Sequence, residues 1–481
     1  MGEFMTGEAR RGNFPPRGHG DERTKSSAPD AQWTHPWTLG PDWDWRQGKI
    51  ALGSWDQRII GEPDRIGATG LGDDRHIVTI AGSRAGKSST VLIPNLMYYP
   101  GSVIVIDPKG ELARMTAQAR SQRLGQTVIV LDPFGTSGLP QSTFNPLDEL
   151  AAESNLFIDD VAQIADALII DAEKDPHWTD AAKMLVAALL LYMAASGNST
   201  LRRLWHILSG GEGKLTCPQS EDDNPDDFLF CRMLAIEEFD GRVALAGSEF
   251  LDKSEKELAS ILSTARVQLR FLDSDPLAAC TISSAFRLAH LKTAPTTIFL
   301  CLPATRLATH ARWLRLVVSL ALNAMERNPA APTHPVLFIL EEFGALGYMR
   351  PIEYATGFMA GFGVKLWSVL QDISQLKTHY PKSWETFLGN AGLIQAFGNS
   401  DFATTEHLSK LLGNTRVQET RNVFVSSGGR ASGDMGRRED VRMTPLLEPS
   451  EIAYYFARQT NRQLVIVPGR GPLYMDRMRR P

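Results

Sequence analysis

The chain is poor in cysteine, has no long apolar run and carries no excess of basic charge. Cys217, Cys231, Cys280 and Cys301 are the only cysteines in 481 residues, and no two form a CxxC pair. Neither a disulfide framework nor a zinc site fits that pattern, so reduced cytosolic thiols are expected. No stretch reaches the roughly 20 apolar residues that span a bilayer. The nearest, residues 181–195, is short and interrupted by Lys183, and reads as a buried helix. The net charge of −5 argues against a generally basic nucleic-acid coat. It leaves room for a local basic surface, or for one formed on assembly. No secretory signal and no internal repeat is visible, which makes the cytoplasm the expected compartment. The opening MGEF ahead of Met5 is set aside as a cloning remnant.

What is present is an ordinary globular balance, 43% hydrophobic and 22% charged, at a length that suits two domains. Residues 1 to about 30 are rich in Gly, Arg, Pro and Ser and read as a disordered tail. A segment with Trp33, Trp37, Trp43, Trp45 and Trp55 follows. It is either an arm packing its aromatics onto the body or a docking segment for a partner. From Arg75 the rhythm is strand, loop, helix: HIVTIAG, SVIVIDPKGE and TVIVLDPFG are buried-strand patterns. Such β-branched runs alternating with helices predict a mainly parallel sheet in an α/β fold. Helical periodicity dominates 146–290, and strands return at TTIFLCLP, HPVLFILEEFG, VKLWSVLQD, LIQAFGN and RQLVIVPG. The expected organisation is a tail and Trp-rich arm over 1–45, a nucleotide domain over 46–145 and 291–481, and an all-α insertion over 146–290. The Gly-, Ser- and Arg-rich stretch TRNVFVSSGGRASGDMGRREDVR is expected to be a mobile loop.

Three motifs carry chemistry. Ala81, four residues, then Gly86, Lys87 and Ser88 have phosphate-loop spacing, with Ala in place of the leading Gly. Gly82, Ser83, Arg84, Ala85, Gly86, Lys87, Ser88 and Ser89 are the candidate nucleotide-binding residues. Amides from Gly82 to Lys87 are expected to face the phosphates of ATP, with Lys87 between the β- and γ-phosphates and the Ser88 hydroxyl on Mg²⁺. The strand 336–340 delivers Glu341 and Glu342 to the carboxyl edge of the sheet. Glu341 is assigned to Mg²⁺ and Glu342 to the attacking water, provided the backbone turns there, because adjacent strand residues face opposite sides. A third strand ends at Gln371, whose amide can sense a γ-phosphate. Each has a plain alternative: a chance GK[ST] turn, two surface acids and an ordinary strand-end glutamine.

The run GSRAGKSSTVLIPNL, SVIVIDPKGEL, FNPL, LFILEEFGALG, VLQDISQL and PLLEPSEI, in that order over residues 60–475, resembles the TraG/TraD-like coupling proteins of type IV secretion. That resemblance implies a RecA-like P-loop domain with an all-α insertion and ATP hydrolysis with Mg²⁺. It also implies a homo-hexamer, formed alone or only with DNA or a partner, that feeds relaxase-bound single-stranded DNA or effector proteins to the secretion channel. A soluble chain could then lie at the inner membrane through a partner. Three departures stand out. The two N-terminal membrane helices usual in the family are not in this sequence, being either cut away from it or naturally absent, Glu341 replaces the commoner Asp, and Ala360 lies where many relatives carry an arginine. Arg350 and Arg416 are the substitute arginine-finger candidates, and slow or partner-dependent turnover is expected. DNA contact is assigned to Arg421, Arg430, Arg437, Arg438 and Arg442, although solvated loop charge explains any one of them as well. Asp107 reads as a turn cap before Pro108, and Lys109 and Glu111 as possible contacts between subunits. Pro94 should kink or end the helix that follows Lys87. A FtsK/HerA-like DNA pump outside secretion and a nucleotide-bound adaptor without turnover are the competing readings.

Overall fold

The computed structural model describes residues 30–35, 38–54, 68–171, 176–220, 222–425 and 434–478. Among these, the strands in chain order are β1 (Ile50–Gly53), β2 (Thr69–Leu71), β3 (His76–Ala81), β4 (Val103–Asp107), β5 (Thr127–Leu131), β6 (Thr296–Cys301), β7 (Val336–Leu340), β8 (Val364–Leu370), β9 (Ala391–Phe397), β10 (Asn414–Val425), β11 (Asp434–Pro445), β12 (Arg462–Ile466) and β13 (Leu473–Asp476). Every apolar run expected to be a strand is one of them. The chain divides into two compact units, residues 1–99 with 367–481, and residues 100–366.

In the first unit β3 lies between β8 and β9 and pairs parallel with both, Ile80 standing opposite Leu370 and Ala396. β9 pairs antiparallel with β12, and β12 with β13. Both β3 and β9 are buried at every position, which is why they read as unbroken apolar runs. A polar thread crosses this layer. Trp367 Nε1 donates to Thr79 Oγ1 (2.9 Å), Thr79 Oγ1 to Gln395 Oε1 (3.1 Å), and Gln395 Nε2 to Gln463 Oε1 (3.2 Å). Gln463 Nε2 ends the thread on the Leu52 carbonyl of β1. Satisfied in this way, buried amides specify one register instead of penalising the core.

Three tryptophans of the arm, Trp33, Trp43 and Trp45, pack on the body. Trp33 lies against the cluster of Ala396, Leu408, Leu412, Leu447 and Phe456 and meets the Tyr474 ring edge-on at 6.1 Å. Trp43 is buried with Arg470 over its ring, and Trp45 meets Tyr98 edge-on at 5.3 Å. Trp37 and Trp55 lie outside the described residues. The stretch expected to be a mobile loop is instead a long antiparallel hairpin, β10 with β11, running in register from Asn414 opposite Pro445 to Val425 opposite Asp434. Its glycines and serines sit mainly in 426–433, outside the described residues, while the flanking TRNVFV and EDVRMT have strand composition. Composition averaged over the whole stretch hid the two arms.

In the second unit β4 lies between β7 and β6, and β6 between β4 and β5, all parallel. β4, β6 and β7 are buried throughout. The Arg120 guanidinium is fully buried and donates to Thr297 Oγ1, Gln126 Oε1 (2.7 Å) and the Gly101 carbonyl (3.0 Å). Between β5 and β6 come the helices of the all-α insertion, among them Phe157–Leu168, Pro176–Ser196, Arg242–Leu251 and Glu255–Leu269. Pro176–Ser196 is long and apolar enough to cross a membrane by length and composition, but most of its apolar window is buried inside the protein. Its Lys183 is held by Asp166 (2.9 Å) and Asp171. All four thiols are free; Cys280 and Cys301 are buried, and burial pushes the Cys280 thiol up to about 12.

Pro94 does not end its helix. The chain first winds one wide turn over Ser88–Leu92, closed by Ile93 N–H donating to the Ser88 carbonyl five residues back, and continues as α-helix over Ile93–Tyr98. The wide turn accommodates the ring and the missing N–H, which would otherwise strain a regular helix. The next residue, Asn95, is the structural reason for IPNL. Its amide donates to the Val91 carbonyl (2.8 Å) and the Ala51 carbonyl (3.0 Å), and its oxygen accepts from Ala51 N–H (2.7 Å), so one side chain pairs with β1 as a strand would. Asn95 is 2% exposed, and its removal leaves both Ala51 backbone groups unpaired. Asn95→Ala should therefore cost about 2–4 kcal/mol, read as a lower midpoint in urea unfolding. An unchanged midpoint would show that this pairing contributes nothing.

Candidate nucleotide-binding site

The loop after β3 is shaped by close backbone approach. A Cβ on Gly82 would fall 2.1 Å from the Gly398 carbonyl oxygen, and a Cβ on Gly398 would fall 2.5 Å from Ala85 Cβ. Gly82 N–H donates to the Phe397 carbonyl (3.3 Å) and Ala85 N–H to the Gly82 carbonyl (3.1 Å). The expectation that every amide from Gly82 to Lys87 faces a phosphate is narrowed accordingly, since these two already close the loop on itself. Gly86 sits at φ +95° and Arg84 at φ +56°. Such left-handed turns among successive amides make an anion-binding concavity. Lys87 and Ser88 are buried, and the Thr90 hydroxyl donates to the Gly86 carbonyl (2.8 Å).

Gln371 follows the last residue of β8, and Leu370 is in register with Ile80 of β3. Gln371 and the loop therefore leave the same carboxyl edge of adjacent parallel strands, where ligands of open α/β sheets bind. The Gln371 backbone is held from both sides, its N–H donating to Gln375 Oε1 (3.0 Å) and its carbonyl accepting from Asn399 Nδ2 (3.1 Å).

In the second unit Leu340 of β7 is in register with Ile106 of β4, so Glu341 and Asp107 leave one carboxyl edge side by side. Glu341 is buried and Glu342 half-exposed. Glu342 stands at φ +56°, ψ 45°, ahead of a short 3-10 turn over Phe343–Leu346. The backbone thus leaves the strand direction at the second of the two acids. A left-handed glutamate costs roughly 1–2 kcal/mol, and such strain is characteristic of functional positions. Asp107 caps its own turn, accepting from Glu111 N–H (3.1 Å) and Ala113 N–H (2.8 Å). Desolvation by burial nevertheless holds its carboxyl above the ordinary range, the backbone donors only partly offsetting it. Arg315 is buried and donates to the Leu346 and Tyr348 carbonyls (2.7 and 2.6 Å), bracing the loop behind the acids. Of the finger candidates, Arg416 is paired with Asp30 (3.1 Å), while Arg350 is exposed at the start of the helix Arg350–Phe358.

A family model described as type IV secretory system conjugative DNA transfer matches residues 46–479. The chain belongs to that family. The conjugal transfer protein TraG of Escherichia coli is 30% identical over 405 residues, covering 78% of this chain and 61% of TraG. Protein VirD4 of Agrobacterium fabrum is 26% identical, covering 85% of this chain and 59% of VirD4. The chain thus spans about three fifths of the length of the curated relatives it matches. Among solved structures, the plasmid coupling protein TrwB in complex with ADP and Mg²⁺ aligns with a TM-score of 0.62 at 14% identity, over 95% of each chain. TrwB with a truncated N-terminus, in complex with sulphate, gives 0.63 at 15% identity over the same shares. That likeness is one of fold: a RecA-like P-loop α/β domain with an all-α insertion.

The donor set of this coupling-family chain suits a magnesium nucleotide. The loop offers a concave run of backbone with a buried lysine. Ser88, in the first unit with the loop, is a hard oxygen donor, and among the described residues no group of three or more His, Cys, Asp or Glu gathers. Mg²⁺ is characteristically held by one or two such oxygens plus phosphate, not by an all-protein cage. Sequence reasoning missed Gly398, Asn399, Asn95 and Arg477; the FGN following β9 was the only local sign of the first two. Gly398 has φ +66° and no room for a side chain. Gly398→Ala should destabilise the protein by about 2 kcal/mol or more, with a matching fall in melting temperature. A stability equal to wild type would mean that the two loops can separate at no cost.

Proposed function

We propose that this chain is the nucleotide-driven motor of a conjugative DNA transfer apparatus: it binds ATP with Mg²⁺, hydrolyses it, and delivers relaxase-bound single-stranded DNA or effector proteins to a type IV secretion channel. The observation that carries the reading is the loop from Gly82 to Ser89, closed on Gly398, with left-handed turns at Arg84 and Gly86 and a buried Lys87. Lys87 and the loop amides would hold the phosphates, Ser88 and Glu341 would hold Mg²⁺, Glu342 would orient the attacking water, and Gln371 would sense the γ-phosphate. The metal supplies charge neutralisation on the phosphate oxygens. TrwB crystallised with ADP and Mg²⁺ and with the analogue ADPNP supports the same ligand here. A homo-hexamer working at the cytoplasmic face of the inner membrane, completed by DNA or a channel component, is part of this reading.

Charge is divided along the chain in a way that supports separate cargo surfaces. Residues 146–290 hold 25 Asp and Glu against 12 Lys and Arg, a net of −13. The remainder holds 38 Lys and Arg against 30 Asp and Glu, a net of +8. A strongly acidic helical block repels a phosphate backbone and suits basic protein segments, while nucleic acid would follow the rest. In the hairpin, the backbone register sets Arg421 opposite Arg438 and Asn422 opposite Arg437, and Arg442 is exposed on the same ribbon. Arg430 lies outside the described residues. Single-stranded DNA affinity should fall with a log–log salt slope of about −0.7 for each phosphate contacted; a flat titration would remove the hairpin arginines from the DNA path.

One further reading rests on a specific observation. Glu341 in place of Asp and Ala360 in place of Arg leave room for a nucleotide-bound adaptor without turnover. Glu342→Gln separates the two. In the motor reading it lowers ATP hydrolysis by about 10²-fold or more while ADP binding persists. A wild-type chain that binds ATP yet shows no turnover with or without single-stranded DNA would establish the adaptor instead.

A further inference from the structure

The last described strand, β13, returns the chain to the nucleotide loop and ends by placing Arg477 beneath it. Arg477 is 3% exposed. One terminal nitrogen, Nη1, donates to the Ala85 carbonyl, and the other, Nη2, to the Arg458 carbonyl (2.9 Å). The guanidinium lies over the face of Phe397, 4.6 Å from the ring centre. Among the described residues its Nε has no hydrogen-bond partner. Among the described residues no carboxylate pairs with it, so a full positive charge is buried against two carbonyls and an aromatic ring. An uncompensated buried cation is costly. Desolvation accordingly pulls its pKa below the ordinary arginine range, although an arginine at that depth stays charged.

The position explains the expense. The Ala85 carbonyl and the Gly86 N–H belong to the same peptide unit, and Gly86 is the φ +95° residue at the bend of the loop. A charged donor on that carbonyl polarises the peptide, making the N–H on its other side a stronger donor, because hydrogen bonds in series reinforce one another at low dielectric. It also holds the peptide plane in the orientation that the bend requires; Arg477 Nη1 lies 3.2 Å from where a Gly86 Cβ would stand. We infer that Arg477 is a positioning residue for the phosphate loop: it orients and polarises the Ala85–Gly86 peptide from outside, and its counter-charge is the polyphosphate held inside. This rests on the reading of the loop as a nucleotide site.

The test is ADP affinity of the full chain by titration calorimetry, with the melting transition of each nucleotide-free variant as the control for folding. Arg477→Met removes the charge and both donors at similar volume, and should weaken ADP binding about tenfold or more, the usual scale of a charge-assisted hydrogen bond. The loss should be greater for a non-hydrolysable ATP analogue than for ADP, since it scales with phosphate charge. Arg477→Lys keeps the charge but cannot reach two carbonyls at once, and should recover part of the affinity. A role confined to packing would lower the melting temperature and leave the affinity of the folded fraction unchanged. An ADP affinity within twofold of wild type in folded Arg477→Met overturns the inference. Should that variant fail to fold, Arg477→Lys decides, wild-type affinity for both nucleotides counting against. If the wild-type chain itself binds neither nucleotide, the nucleotide reading of the loop falls, and this inference falls with it.

Discussion

The first unit depends on one close approach: the backbone of Gly82 against the backbone of Gly398. The two glycines end adjacent parallel strands, and neither position has space for a Cβ. Because the gap is set by backbone and not by a deformable side chain, it fixes where the loop after β3 begins. Ala85 then seats against Gly398, Gly82 N–H reaches Phe397, and the Phe397 ring becomes the surface on which Arg477 lies. A phosphate loop needs amides aimed at a point, and aiming requires that the chain be held from behind. Here the holding is done by a neighbouring strand end and by the last described strand.

The second unit meets an analogous demand differently. Its acids leave a fully buried strand, and pleating alone would send Glu341 and Glu342 to opposite faces. The left-handed conformation at Glu342 breaks the alternation at the first residue where it can be broken, and the 3-10 turn after it prevents the strand from continuing. Arg315 supports the far side of that turn through the Leu346 and Tyr348 carbonyls. Strain in one residue is tolerated because the loop behind it is tied to the long helix Ala304–Arg327.

The strands and the phosphate loop were legible in the sequence because burial on both faces imposes unbroken apolar runs, and because GK[ST] after such a run has a mechanical meaning. The course of the helix past Pro94 was not. A proline rule written for regular helices predicts a kink or a stop, and nothing local announces the wide turn over Ser88–Leu92 that removes the conflict. The β10–β11 pair was hidden in the sequence by the residues 426–433 between its strands, whose glycines and serines dominate the composition of the whole stretch. Asn95 and Arg477 were illegible for another reason. Each acts on a backbone group far away in sequence, Ala51 for the one and Ala85 for the other, and an amide or guanidinium aimed at a main-chain carbonyl leaves no pattern of paired side chains to read.

That sequence distance has a consequence for how the site comes into being. Ala85 and Arg477 are separated by 392 positions, and Gln463, which ties β12 to β1, lies 411 positions from Leu52. Contacts of this span return nothing until the intervening chain has been ordered, so they form late and weigh on folding rate more than on stability. Gly398 and Arg477 both follow the second unit in the chain, while the loop they hold precedes it. A nascent chain that has produced the GK[ST] motif therefore possesses the residues of a phosphate loop without the backbone that aims them. On this geometry the loop is braced only once β8, β9, β12 and β13 have joined β3, which would tie the proposed nucleotide binding to completion of the whole first unit.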